Sequence, residues 1–335
     1  MKVSVVMPVY NKAPFLREAV ESILNGTFTD LELICVDDKS TDDSIAILRS
    51  IPDPRMRIIE LPANLGPAGA ANAGLEAAQG EYIVRMDADD ISVPDRVFMQ
   101  VAFMDLHPEV GASGGQLQLF GEGEESWSFP MDPDGCSAQL LFGVPVAQGA
   151  SILRRSVLKE HGVRYDPRWP RIGEDWLFWL LLAPYTHFAN LPEVLVRYRR
   201  GPQNISHGRD KFADFTTLQQ EAFRALGVPH SSEELDLHLM GSFLFKLKPT
   251  RHRVRALRHW YDRLLRLNAE HSFAPQAAFE KRVAAQWDRL FHYLPRYGAA
   301  PALEHMRING KYPMDRLMYL LKYRINAALG KLPNG

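Results

Sequence analysis

Gly80-Glu81-Tyr82-Ile83-Val84-Arg85-Met86-Asp87-Ala88-Asp89-Asp90 is a short apolar run that stops at three carboxylates within four residues. The run from Glu81 to Met86, bounded by Gly80, reads as a buried strand that delivers Asp87 to its carboxyl end. Just upstream, the small-residue stretch Gly66 to Gly74 leads into a helical pattern from Ala70 to Ala78, which Gly80 closes. Farther upstream, Arg57 to Leu61, Leu31 to Val36 and Val3 to Val9 read as three more strands. Phe15, Ala19, Ile23 and Leu24 recur at helical spacing between the first two. Ser40 with Asp43 resembles a capping box for a helix whose apolar face is Ile45 and Leu48. This alternation predicts an α/β fold with a mostly parallel central sheet flanked by helices. Ligands of such sheets bind outside the carboxyl ends of the strands. Pro8 to Asn11, Asp37-Asp38 and Asp87 to Asp90 are therefore expected to converge on one crevice.

The rest of the composition narrows the partner. In 335 residues, 39 Lys plus Arg balance 40 Asp plus Glu, so no global charge recruits nucleic acid. Two cysteines, Cys35 and Cys136, make neither a disulfide framework nor a zinc ligand set, and a reducing cytoplasm fits them. The apolar run before Pro8 is too short for a signal peptide. The most apolar segment, Trp176 to Ala183, is broken by Pro184 and falls short of a membrane span.

Three carboxylates crowded at a strand end repel one another unless a cation or solvent compensates them. Divalent ions with a preference for oxygen, Mn2+ or Mg2+, bind through one or two carboxylates together with substrate phosphates, and Asp87 and Asp89 supply such a pair. Pro94-Asp95-Arg96 predicts a helix start just beyond, where backbone amides attract phosphate. The bland alternative is a capped, solvated acidic turn.

The ordered set of motifs resembles glycosyltransferase family 2, the large inverting group with the GT-A fold, a Rossmann-like sheet flanked by helices. The resemblance spans roughly residues 1–205. It rests on Val5-Val6-Met7-Pro8-Val9-Tyr10-Asn11, Val36-Asp37-Asp38-Lys39-Ser40-Thr41-Asp42, Asn64-Leu65-Gly66, Ala71-Asn72-Ala73-Gly74, Gly80-Glu81-Tyr82-Ile83, Met86-Asp87-Ala88-Asp89-Asp90 and Gly173-Glu174-Asp175-Trp176. It implies transfer of a sugar from a nucleoside diphosphate sugar, a UDP-sugar above all, to a hydroxyl of a glycan or lipid-linked saccharide in polysaccharide or glycoconjugate synthesis. Pro8, Val9 and Tyr10 would line the base pocket, with Tyr10 offering an aromatic face. Asp38 would accept a hydrogen bond from the base, with Asp37 as the second choice, and Asn72 and Ala88 belong to the same donor site. Asp87 would contact the ribose or the metal region, and Asp89 would be the principal metal ligand. Asp90 either assists or caps the next helix. Glu174-Asp175 matches the acidic pair that supplies the general base, with Asp175 the choice; on local pattern alone Asp175 is an N-cap for the apolar helix that follows. Trp169 would stack on the acceptor sugar, or is core.

Two positions depart from the family pattern. Ala71 stands where many relatives carry arginine, and Gly201 stands where a histidine often follows the arginine equivalent to Arg199. Arg197, Arg199 and Arg200 either steady the diphosphate or form an exposed charge run.

From about residue 211 the strand signals cease, which places a boundary near 210 between a catalytic region, 1–210, and a helical region, 211–335. Val254, Leu257, Tyr261 and Leu264 form one apolar stripe amid Arg251, Arg255, Arg258 and Arg266. Met314, Leu317, Leu321 and Ile325 form another amid Arg316, Lys322, Arg324 and Lys331. Each stripe packs on the catalytic region, packs on a second subunit as a homodimer, or lies peripherally on the inner face of an anionic membrane. Two other functions compete: a non-catalytic nucleotide-sugar binder, and a phosphoryl-transfer α/β enzyme. The latter normally needs an aspartate after the first strand, where this chain has Pro8-Val9-Tyr10.

Overall fold

The computed structural model describes residues 1–329 other than 169–171, 205, 206, 209, 245 and 311. In chain order the first half reads β1 (Val3–Val9), α1 (Ala13–Leu24), β2 (Leu31–Asp37), α2 (Ser44–Arg49), β3 (Met56–Glu60), α3 (Gly66–Ala77) and β4 (Tyr82–Arg85). β1 and β2 are apolar on both faces and almost wholly buried, the signature of strands covered by helices on each side. β3, β2, β1 and β4 lie side by side and parallel, with Val9 in register with Asp37 and Val6 with Arg85. That register brings Tyr10 to Lys12, Asp38 and Met86 to Asp90 to the same edge. α3 crosses the sheet close enough that a Cβ on Gly74 would stand 2.2 Å from Val6 Cγ1, so its small residues serve packing.

Beyond β4 the sheet becomes mixed. β5 (Ile91–Ser92), α4 (Arg96–Leu106), β6 (Val110–Gly121), β7 (Ser126–Trp127), α5 (Pro133–Gln139), β8 (Ile152–Arg154), α6 (Arg155–His161), α7 (Glu174–Leu182) and β9 (His187–Arg200) follow. The order across the sheet is β3-β2-β1-β4-β8-β6-β9-β5, with β7 on β6. β8 runs antiparallel to β4 and to β6, while the long β9 runs parallel to β6 and antiparallel to β5. α4 begins at Arg96, as Pro94-Asp95-Arg96 predicts.

The capping box expected at Ser40 and Asp43 does not form. α2 starts at Ser44 with no side-chain cap. Ser40 is engaged elsewhere: its amide donates to Asp37 Oδ2 at 3.1 Å, and its hydroxyl accepts the Asn11 amide at 3.0 Å.

Residues 1–214 and 215–335 form two compact units. The divide falls in the first turn of α8 (Phe212–Ala225). The second unit continues with α9 (Ser232–Gly241), α10 (Arg251–His271), α11 (Gln276–Leu290), α12 (Ala299–Ile308) and α13 (Met314–Ala328). α9 opens on a complete capping box between Ser231 and Glu234. The α10 stripe of Val254, Leu257, Tyr261 and Leu264 is fully buried and forms the unit's core. Among the described residues no helix is long and apolar enough to cross a membrane.

Candidate active site

The loops after β1 and β2 are tied to each other before any ligand is considered. Asn11 and Lys39 both adopt left-handed backbone, at φ 52° and 65°. Asn11 tolerates it because its amide oxygen accepts the Thr41 N–H at 2.8 Å. Strained backbone that the surroundings hold in place is characteristic of ligand-binding loops. Pro8 is half-buried, Val9 is buried and the Tyr10 ring is exposed. The Asp38 carboxylate accepts the amides of Leu65 at 2.6 Å and Gly66 at 2.9 Å, and its carbonyl accepts Asn64 Nδ2 at 3.0 Å. Asp38 thus fastens the start of α3 to the end of β2. Asp37 Oδ1 is buried without a hydrogen-bond partner.

The acidic turn after β4 is held from three sides. Asp89 and Asp90 are buried, while the Asp87 side chain is 40% exposed. Lys12 Nζ lies 2.5 Å from Asp89 Oδ2. Asp90 Oδ1 accepts the Arg199 amide at 2.8 Å, and the Arg199 guanidinium donates to the Asp89 carbonyl at 2.8 Å while lying 4.6 Å from the Phe15 ring centre and 4.5 Å from that of Phe120. Arg199 is therefore neither a simple surface charge nor an open anion ligand, and Asp90 fastens β9 instead of capping α4. Arg96 is wholly buried, donating to the Arg85 carbonyl at 2.7 Å and to Gln100. Burial lowers the Arg96 pKa to about 9, against the pull of Asp87 and Asp90. Ala88 is buried. A Cβ added to Gly149 would stand 2.7 Å from Asp87 Oδ2.

Burial raises Asp90 well above the ordinary carboxylate range, and the charges of Asp87 and Asp89 add to it. Burial also raises Asp89, with the Lys12 ammonium opposing. Asp90 Oδ2 is buried without a partner. The donor set is hard oxygen, one oxygen is orphaned, and an ammonium already sits on Asp89. These features fit a divalent cation completed by substrate phosphates rather than a protein-only cage. Among the described residues, no group of three or more His, Cys, Asp or Glu is placed to hold a metal ion by itself.

Glu174 and Asp175 form the first turn of α7, entered through Gly173 at φ 83°. Asp175 Oδ1 accepts the Trp176 amide at 2.8 Å. Burial raises Glu174 to about 8, helped by the charges of Asp175 and Asp87. Burial raises Asp175 to about 6, again with Asp87 contributing. The Asp87 charge adds to the shift of both groups. Asn72 supplies a physical link to α7. Its side chain donates to the Tyr165 carbonyl at 2.8 Å and accepts the Tyr165 amide at 2.9 Å, and the Tyr165 ring stacks on Phe178 of α7 at 4.2 Å. Asn72 therefore spends its side chain on backbone it positions. Trp169 lies outside the described residues.

Sequence reasoning missed Lys12, Arg96 and the inward role of Arg199. Lys12 had a signal: it is the one cation directly after the Tyr10-Asn11 turn. Arg96 had none, because a charged residue at a helix start reads as solvated.

The sequence model described as Glycosyl transferase family 2 matches residues 4–162. The putative glycosyltransferase EpsE of Bacillus subtilis is 31% identical over 238 residues, which is 69% of this chain and 84% of that protein. An uncharacterized glycosyltransferase of Haemophilus influenzae is 32% identical over 210 residues, 59% of this chain and 65% of that protein. The succinoglycan biosynthesis protein ExoO of Rhizobium meliloti is 34% identical over 187 residues, 52% of this chain and 53% of that protein. The chain thus spans just under two thirds of the Haemophilus protein and about half of ExoO. Among solved structures, S. aureus TarS 1-349 in complex with UDP-GlcNAc superposes with a TM-score of 0.56 at 19% identity, covering 93% of both chains. The mannosyltransferase PcManGT of Pyrobaculum calidifontis, in complex with GDP-Man and Mn2+, gives 0.54 at 18% identity, covering 99% of this chain and 88% of that one. Likeness at such identities speaks for the fold, which is GT-A. With EpsE matched over most of its length and the family's sequence model covering residues 4–162, the chain belongs to glycosyltransferase family 2.

Proposed function

We propose that the chain transfers a sugar, with inversion, from a nucleoside diphosphate sugar, a UDP-sugar first among them, to a hydroxyl of a glycan or lipid-linked saccharide. It would act in the cytoplasm, in keeping with two buried free cysteines. One observation carries the reading. Two neighbouring carboxyl groups on α7, raised to about 8 and about 6, feel the same Asp87 charge. Burial lifts both carboxyls toward neutral pH, where a carboxylate can take up a proton, and Asp175 is taken as the acceptor with Glu174 beside it.

In this reading residues 1–210 form the catalytic region and 211–335 an accessory helical region. Pro8, Val9 and Tyr10 receive the base, with Asp38 and Asp37 at its edge. Asn72 acts through Tyr165, and Ala88 keeps the turn between Asp87 and Asp89 narrow. The acceptor oxygen forms its bond to the anomeric carbon on the face opposite the leaving group, and its proton passes to Asp175. The bond from the anomeric carbon to the phosphate oxygen breaks, and its electron pair leaves with the diphosphate. Asp89 and Asp87 would hold a Mn2+ or Mg2+ ion, which supplies charge neutralisation for that diphosphate. GDP-Man with Mn2+ in PcManGT and UDP-GlcNAc in TarS support a nucleotide-sugar donor by analogy of fold.

Thermal unfolding against a panel of nucleoside diphosphate sugars, with and without Mn2+, tests the donor. A ligand at a hundredfold excess over its Kd stabilises by about 2.7 kcal/mol. One donor should raise the melting temperature, and more so with Mn2+. No shift with any donor would reject the reading.

A further inference from the structure

The two apolar stripes of the second unit have opposite fates. The α10 stripe is fully buried, whereas on α13 Leu320 alone is buried. Met314, Met318, Leu321, Ile325 and Leu329 recur at positions i, i+4, i+7, i+11 and i+15, and so share one face. They are 72%, 44%, 53%, 49% and 60% exposed. The opposite side is fastened: Arg316 reaches Asp288 Oδ1 at 2.6 Å and lies over the Phe291 ring, and the Tyr319 hydroxyl donates to the His292 carbonyl at 3.1 Å. The helix is thus held by one side and presents a continuous apolar stripe on the other. Such a patch marks an interaction surface.

Charge selects the occupant. The second unit carries 19 Lys plus Arg against 10 Asp plus Glu, while residues 1–214 carry 20 against 30, so a near-neutral chain hides a strongly basic unit. At 100° per residue, exposed Lys322 and Arg324 fall one on each side of the stripe, and no acid follows Asp315. A second copy fits poorly. Antiparallel pairing about Leu321 would gather Lys322 and Arg324 of both helices at the centre, with only Asp315 at the ends to offset them. An anionic bilayer fits both features: apolar side chains enter the headgroup boundary, and the flanking cations meet lipid phosphates.

We propose that α13 is an interfacial anchor that lies flat on anionic phospholipid through Met314, Met318, Leu321, Ile325 and Leu329, with Lys322 and Arg324 at the lipid headgroups. The anchor serves a lipid-linked acceptor if the transfer reading holds, but the observations behind it come from the second unit alone and do not depend on that reading.

Flotation of the full chain with vesicles, in the absence of donor and acceptor, tests the anchor separately from the transfer reading. The wild type should bind phosphatidylcholine vesicles containing roughly 30% phosphatidylglycerol at least about tenfold better than phosphatidylcholine alone, and high salt should weaken that binding. L321E/I325E should abolish binding and keep the wild-type melting temperature, because both side chains are exposed. K322Q/R324Q should weaken binding roughly thirtyfold, and it decides the matter if L321E/I325E melts early. Absence of vesicle binding, equal binding to neutral and anionic vesicles, or a dimer by light scattering that L321E/I325E splits while vesicle binding is unchanged would overturn the proposal.

Discussion

The Lys12 ammonium lies 2.5 Å from Asp89 Oδ2 and 3.1 Å from the Gln203 carbonyl oxygen, so one cation from the end of β1 joins the acidic turn after β4 to the loop after β9. An ion bound through Asp89 Oδ2 takes that oxygen from Lys12. Lys12→Met removes the competitor and leaves buried carboxylates uncompensated. Mn2+ affinity of the donor-free protein, measured by titration calorimetry, should rise roughly tenfold, the worth of one hydrogen bond between charged groups. Unchanged or weaker Mn2+ binding would show that Asp89 does not hold the ion.

Gly149 faces Asp87 with no room for a side chain, since an added Cβ would meet Oδ2 at 2.7 Å and Cγ at 3.2 Å. Gly149→Ala should push the Asp87 carboxylate aside while leaving the backbone in place. Misplacement on this scale lowers activity roughly 10- to 100-fold. The expected result is a raised KM for the donor with a melting temperature within about 2 °C of wild type. A wild-type KM would remove Asp87 from the donor site.

Glu174 gives stability a pH dependence whose direction is fixed. Its pKa rises from the ordinary 4.5 to about 8, through burial first and the Asp175 charge second. Between those values the folded chain holds a proton that the unfolded chain has lost, so stability falls as pH rises from about 5 to about 8. Glu174→Gln should raise the melting temperature at pH 8 by at least about 2 °C and leave it unchanged near pH 4. A variant that follows the wild-type profile at every pH would contradict the buried, protonated Glu174.

Asn72 satisfies both backbone groups of Tyr165. Asn72→Ala orphans them and loosens the stack on Phe178 that steadies α7. Stability should fall by about 1–3 kcal/mol, and kcat should fall more than donor affinity. A selective loss of donor binding with unchanged kcat would return Asn72 to direct contact with the nucleotide.

The parallel half of the fold was legible because its strands are buried on both faces, and a run such as Val3–Val9 has few other ways to be satisfied. The mixed second half was not. β6 and β8 mix small and polar residues such as Gly114, Gly115 and Arg154, and their partners lie far along the chain. The acidic residues of the site were legible because crowded carboxylates are conspicuous. Their restraints were not, since the reach of Lys12 to Asp89, of Arg199 under the turn and of Asn72 to Tyr165 spans 77, 110 and 93 residues. Patterning could not separate the α10 stripe from the α13 stripe either, because both read as amphipathic. Burial alone distinguishes them.

In the proposed mechanism Asp175 takes the acceptor's proton. Asp175→Asn keeps the shape and the bond to the Trp176 amide but removes the base. With the donor that stabilises the protein, transfer should be followed by release of the nucleoside diphosphate from pH 5 to 9, with donor binding measured separately by calorimetry. The wild-type rate should rise through a pKa near 6, the value to which burial lifts Asp175. The variant should bind donor as tightly as wild type, lose roughly 10²- to 10⁴-fold in kcat and lose that inflection. Wild-type turnover by Asp175→Asn, or loss of donor binding in step with turnover, would contradict the account.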